Sequence, residues 1–152
     1  MRYVVPIVAV AASLATAGAT AQPHAPPAQA RDEASVAKGE WTSIRETIRA
    51  QLAALRRHDA AQAFSFAASG IRSHFGDAAT FLAMVEQQYG ALLTARYTEF
   101  LEGAVIDGHT IQPLRLVMSD DTVLVALYEM QRDGDAWKIV GCAIAPSTVR
   151  ST

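Results

Sequence analysis

Between residues 40 and 57 the apolar side chains fall on one stripe. Trp41, Ile44, Ile48, Leu52 and Leu55 recur at spacings of three and four, the period of a helix with one buried face. Arg45, Glu46 and Arg49 lie off that stripe. Arg56, Arg57 and His58 crowd the last turn, where positive charge complements the helix dipole. Asp59 has the position of an N-cap for a second helix, AAQAFSFAAS, which Gly70 is expected to end. Ala60, Phe64, Ala67 and Ala68 share one side of it, whereas Phe66 is turned by about 200° from Phe64. The segment is therefore predicted to pack on two sides, with Ile71 and Phe75 as further anchors. Gly76 and Asp77 read as a stop and a new N-cap. A third helix, AATFLAMVEQQYGALL, places Phe81, Met84, Val85, Tyr89 and Leu92 at apolar positions, and Gly90 weakens its C-terminal end.

From Tyr97 the period changes to two. Strands are predicted over 97–106, 109–118, 122–132 and 136–145, joined by Asp107-Gly108, Ser119-Asp120-Asp121 and Asp133-Gly134-Asp135. Short connections of turn residues imply an antiparallel meander. Pro113 has no N–H for the ladder and demands an edge or a bulge. In the third strand Val123, Val125 and Leu127 alternate with Leu124, Ala126, Tyr128 and Met130. Both of its faces are apolar, so it is expected to be covered on both. The class is α+β: three N-terminal helices packed on a curved four-stranded antiparallel meander.

Composition narrows the function. The chain has 152 residues and a net charge of −2 with both signs interspersed, so no basic patch points to nucleic acid or to an anionic membrane surface. Residues 1–21 run from Arg2 through an apolar, small-residue stretch to Ala19-Thr20-Ala21, the layout of a cleaved signal peptide. The mature protein is expected to be periplasmic or secreted, with no integral membrane segment. Residues 22–39, rich in proline and alanine and including His24, read as a flexible linker. The single α+β domain is expected over 40–146, followed by a tail at 147–152. A lone cysteine, Cys142, excludes an intramolecular disulfide.

The strings IRAQLAALRRHDAAQAFSFAASGIRSHFG, FLAMVEQQY and RDGDAWKIVGC, in that order, resemble a bacterial secreted family catalogued as domain of unknown function 4864. The resemblance runs from about Ile44 to Cys142. Its members are similar in layout to the cone-shaped superfamily of nuclear transport factor 2 and ketosteroid isomerase. That likeness implies a fold and a compartment but no catalytic residues. It also implies a pocket between helices and sheet, where an enzyme needs a base and an oxyanion donor facing one cavity.

Phe64, His74, Tyr89, Glu129 and Trp137 are the candidate binding residues. Glu129 shares strand parity with Val123, Val125 and Leu127, and a carboxylate on a partly buried face is the candidate base. Tyr128 has the opposite parity, which separates the two. Asp59 and Asp77 are explained as caps and His58 as a last-turn residue, and no HExxH spacing occurs, so no metal is expected. Ser65 has no Gly-x-Ser-x-Gly context and there is no glycine-rich phosphate loop, so neither a nucleophile elbow nor a cofactor is expected. Two functions follow. The first is a non-catalytic module that binds a small apolar ligand or a protein partner, with a homodimer through the sheet face. The alternative is a cone-pocket enzyme of isomerase or hydrolase type with Glu129 as base and His74 as helper.

Overall fold

The computed structural model describes residues 36–147; residues 1–35, on which the expected signal peptide, most of the expected linker and His24 fall, and the tail beyond Ser147 lie outside them. The chain forms α1 (Lys38–Arg56), α2 (Ala60–Ser65), α3 (Ser69–Phe75), α4 (Ala78–Gln88) and α5 (Gly90–Thr94). The strands follow: β1 (Tyr97–Phe100), β2 (Ala104–Ile106), β3 (His109–Val117), β4 (Val123–Asp133) and β5 (Ala136–Pro146). They build one antiparallel sheet in the order β1-β3-β4-β5, with β2 beside β3 on the same edge as β1.

The α+β class and the meander stand as expected, but the counts need correction. The expected strand 97–106 is two strands. Phe100 pairs with Leu114 and Ala104 with Ile111, so residues 101–103 face only Gln112 and Pro113. The Leu101 N–H donates to the Pro113 carbonyl at 3.1 Å, which shows that Pro113 turns its hydrogen-bonding side toward this edge. A residue's N–H and C=O point the same way in a strand, and proline has no N–H to offer. The partner strand therefore breaks where the donor is missing.

The three expected helices are five, because the second is cut short and followed by an unexpected α3, and the third breaks in two. The second helix stops at Ser65, and Gly70 sits inside α3 instead of ending a helix. Phe66 and Ala68 leave the helix to pair with the sheet: Ile139 N–H donates to Phe66 O at 2.9 Å, and Ala68 N–H donates to Ile139 O at 2.8 Å. This short parallel bridge covers the first half of the β5 edge. The third helix breaks at Tyr89, whose φ of −124° and ψ of 28° are non-helical. The break serves two cores. Phe81 and Val85 of α4 enter a cluster with Ala54, Leu55 and Ala63, whereas Leu92 of α5 joins Ile44, Ile48, Leu114, Leu116, Tyr128 and Ile139 against the sheet. One straight helix cannot aim the same stripe at both.

The caps are placed where the sequence set them. Asp59 accepts from Gln62 N–H at 3.1 Å and Asp77 from Thr80 N–H at 2.7 Å. The Thr80 amide bond holds the Asp77 carboxyl below the usual carboxylate range. Gly76 takes a φ of +78° at the C-cap of α3. The Asp107-Gly108 turn has φ of +50° and +80°, the all-positive pattern of a tight hairpin turn. In β5 the register shifts between Glu129 and Met130, so Val140 is an extra residue and the strand bulges there.

Candidate functional site

Residues paired across the strands share a face, and the pairings divide this sheet cleanly. Gln112, Leu114, Leu116, Ala126, Tyr128, Met130, Trp137 and Ile139 face the helices and are buried. On the other side lie Tyr97, Ile106, Ile111, Pro113, Val117, Val123, Val125, Leu127, Ala143 and Ala145. No described helix is packed over that outer face. Leu127 is 40% exposed, Tyr97 54% and Ile106 57%, while Ile111, Val117, Val123 and Val125 are half-buried. The expected cover on both faces of β4 is thus met on one side only within the described residues.

Two acidic residues of the outer face are partnered within the chain. Arg115 Nη2 lies 3.0 Å from Glu99 Oε2, and His109 Nδ1 lies 2.5 Å from Glu129 Oε1. Glu129 is therefore on the outer face beside His109, with its side chain 25% exposed.

The five candidate binding residues do not converge. Phe64 stacks on Phe81 at 5.4 Å in the helical cluster. His74 is exposed and meets Phe75 edge-on at 4.8 Å. Tyr89 is half-buried and bridges the two clusters. Trp137 is buried on the helix side, under the Arg132 guanidinium at 5.5 Å. Glu129 lies across the sheet from Tyr128 and Trp137, so the base and the aromatic donors do not share a cavity. The two-sided packing of 58–77 does appear: Phe64 packs on the helical cluster and Phe66 on the sheet cluster. His58 has its own role. Its φ of +56° ends α1 in the left-handed region, and its Nδ1 sits 2.8 Å from Glu86 Oε1. Among the described residues no group of three His, Cys, Asp or Glu is placed to hold a metal ion.

Two hollows of about 340 and 370 Å³ lie at the surface. One is beside the Met118–Thr122 turn. The other lies between Ser43, Glu46 and Thr47 of α1 and the end of the β4–β5 hairpin at Arg132, Asp135 and Trp137. Beneath the helices, the sheet is filled by Ile44, Ile48, Leu52 and Leu92.

Within that filled side, the Tyr128 hydroxyl is buried without a hydrogen-bond partner, and burial pushes its ionisation well above the ordinary tyrosine value. The neighbouring Cys142, opposite Tyr128 in the ladder, is half-buried as a residue, but desolvation pushes its thiol up to about 12. Such a thiol is a small apolar filler and not a nucleophile. An unpartnered buried hydroxyl costs free energy, so Tyr128→Phe is expected to raise the stability of the folded chain by about 1 kcal/mol. Urea unfolding measures this; a loss of stability would mean that the hydroxyl is satisfied.

Sequence reasoning missed Trp41 against Gly103 and the buried Gln112, whereas it did expect a contact through the sheet face. Strand parity alone carried the signal for the face, through Val123, Val125 and Leu127 with Ile111 and Val117. No described helix is long and apolar enough to cross a membrane. No curated protein and no solved structure matches the chain. The family model described as Domain of unknown function (DUF4864) matches residues 37–152, a span that holds every element described above; the chain belongs to that family.

Proposed function

We propose that the protein is an exported, non-catalytic interaction module that acts as a homodimer, with the outer face of its sheet as the contact between copies. One observation carries the reading: that face is apolar and exposed at Tyr97, Ile106 and Leu127, while the opposite face is buried under helices. Burying such a surface is favourable by roughly 25 cal/mol per Å². Four strand positions about 4.8 Å apart and about nine residues long span roughly 600 Å². That approaches the ~800 Å² per partner of a standard interface. Charge favours a second copy as the occupant. The Arg115–Glu99 pair neutralises within one chain and the Glu129 carboxylate is held by the His109 ring, so an identical face meets acidic groups that already have partners. The filled space beneath the helices supports a protein partner over a small apolar ligand. The placement of Glu129 opposite Tyr128 supports a non-catalytic role. Export rests on the leader pattern of residues 1–21. Kinship with the nuclear transport factor 2 superfamily rests on the layout of helices on one face of an antiparallel meander.

Leu127→Lys tests the contact. In a single chain it adds a charge at an exposed site, which costs about 0.5 kcal/mol or less; in a dimer it buries an unpaired charge. Native mass spectrometry and sedimentation of the mature protein are expected to show a smaller assembly for the variant than for the parent, both with native circular dichroism. A monomeric parent, or a variant that assembles to the same size as the parent, overturns the reading.

A further inference from the structure

The two edges of the sheet are built differently. The β1/β2 edge is interrupted at 101–103 and carries Arg96, Glu99, Glu102 and Asp107, devices that keep an edge from pairing with another strand. The β5 edge is half covered: Ile139 spends its N–H and C=O on Phe66 and Ala68. Beyond Ile139 no described strand lies beside it. The Ser147 N–H donates to Val123 O at 3.0 Å, so residues 143, 145 and 147 turn their backbone groups toward β4. By strand alternation, Cys142, Ile144 and Pro146 turn theirs outward. From Ile139 to Pro146 the sequence IVGCAIAP has no charged residue.

We infer that this open stretch, Cys142–Pro146, is a strand-addition site whose partner is the same stretch of a second copy, antiparallel about a twofold axis at Ile144. Every outward backbone donor of this stretch finds an acceptor in that pairing. With Ile144 on the axis, each Ile144 N–H meets the Ile144 carbonyl of the other copy, and each Cys142 N–H meets the Pro146 carbonyl of the other copy. Both outward N–H groups of the edge are satisfied. The one residue that lacks an N–H, Pro146, stands where an acceptor is needed. An uncharged strand pairs with its own copy without placing like charges opposite each other. Gly141, Ala143 and Ala145, on the outer face beside the axis, leave room for close approach. The Phe66–Ala68 bridge limits the pairing to this half of the edge. This contact is distinct from the sheet-face contact and does not rest on it.

Disulfide trapping tests the register. In this pairing Ala143 of one copy stands opposite Ala145 of the other at a non-hydrogen-bonded position, with Cβ atoms about 4.5–5.5 Å apart. Two full-length, processed chains are prepared, each carrying Cys142→Ala. One also carries Ala143→Cys and the other Ala145→Cys; native circular dichroism is required of both. In a glutathione redox buffer, the mixed disulfide is expected to form about tenfold faster than either chain's disulfide with itself, because only the mixed pair meets bonding geometry. Stacked sheets are about 10 Å apart, so a face contact does not produce this bond. The preference is expected to survive Leu127→Lys in both chains. Absence of the mixed disulfide, equal rates for all three pairings, or loss of the preference with Leu127→Lys each overturns the edge site. A parent no larger than its Leu127→Lys variant, with trapping intact, would sink the face contact alone.

Discussion

Replacing Gln112 with leucine is expected to cost about 3 kcal/mol of stability, although leucine has nearly the same volume and is apolar. Gln112 is completely buried on β3 and closes the wound that Pro113 makes in the sheet edge. Its Nε2 donates to Leu101 O at 2.8 Å and to Pro113 O at 2.9 Å, and its Oε1 accepts from Arg45 Nε at 3.1 Å. Arg45 Nη2 also reaches Leu101 O at 3.4 Å. Leucine removes one of two donors from each carbonyl, leaving Leu101 O to Arg45 Nη2 and Pro113 O to the Leu101 N–H, and takes the Oε1 acceptor from a half-buried guanidinium; each loss is a desolvation cost that the apolar side chain does not offset. Urea unfolding of the variant should show a lower midpoint with an unchanged slope. A loss below about 1 kcal/mol would mean that water replaces the amide and that the network is not structural.

Gly103→Ala should have an effect of similar size for a different reason. A Cβ at Gly103 would stand 2.2 Å from Trp41 Cζ3, 2.6 Å from Cε3 and 2.7 Å from Cη2. The indole of α1 lies directly on the backbone of the strand break. Neither the ring nor the backbone can yield by an ångström without unpacking the start of α1, so overpacking of about 3 kcal/mol is expected. A double-mutant cycle isolates the contact. Trp41→Ala by itself loses indole packing, but in that background Gly103→Ala should cost less than about 1 kcal/mol. If the alanine costs the same with or without the indole, backbone conformation and not the ring is responsible.

The two residues mark the boundary of what was legible. Pro113 announced an irregularity in the sheet, because a missing N–H is a property of one residue. It did not say which strand would absorb the defect. The neighbour gave way, and the repair came from Gln112 and Arg45, which are far apart in sequence. Trp41 was placed on the apolar stripe of α1 by its spacing, but its partner is a glycine, and a glycine has no side-chain pattern to read. The outer face was half legible: the parity of Val123, Val125 and Leu127 marked an apolar side, and the expectation that it would be covered came from their chemistry. Glu129 followed that same parity onto the outer face, away from Tyr89 and Tyr128.

Local signals did their work wherever the physics is local. Asp59, Asp77, Gly76 and Asp107-Gly108 cap or turn the chain through bonds and dihedrals within a few residues, and their positions were set by sequence alone. So were the helical stripe of α1, the period-two strands and the α+β class, since each depends on repeating side-chain direction. Only the tertiary structure decided where the helices break. Phe66–Ala68 abandons a helix to pair with Ile139, and Tyr89 bends the chain so that Phe81 and Leu92 reach different cores. Those choices turn on contacts between distant segments, whose free energy exceeds the small intrinsic preferences of the residues involved.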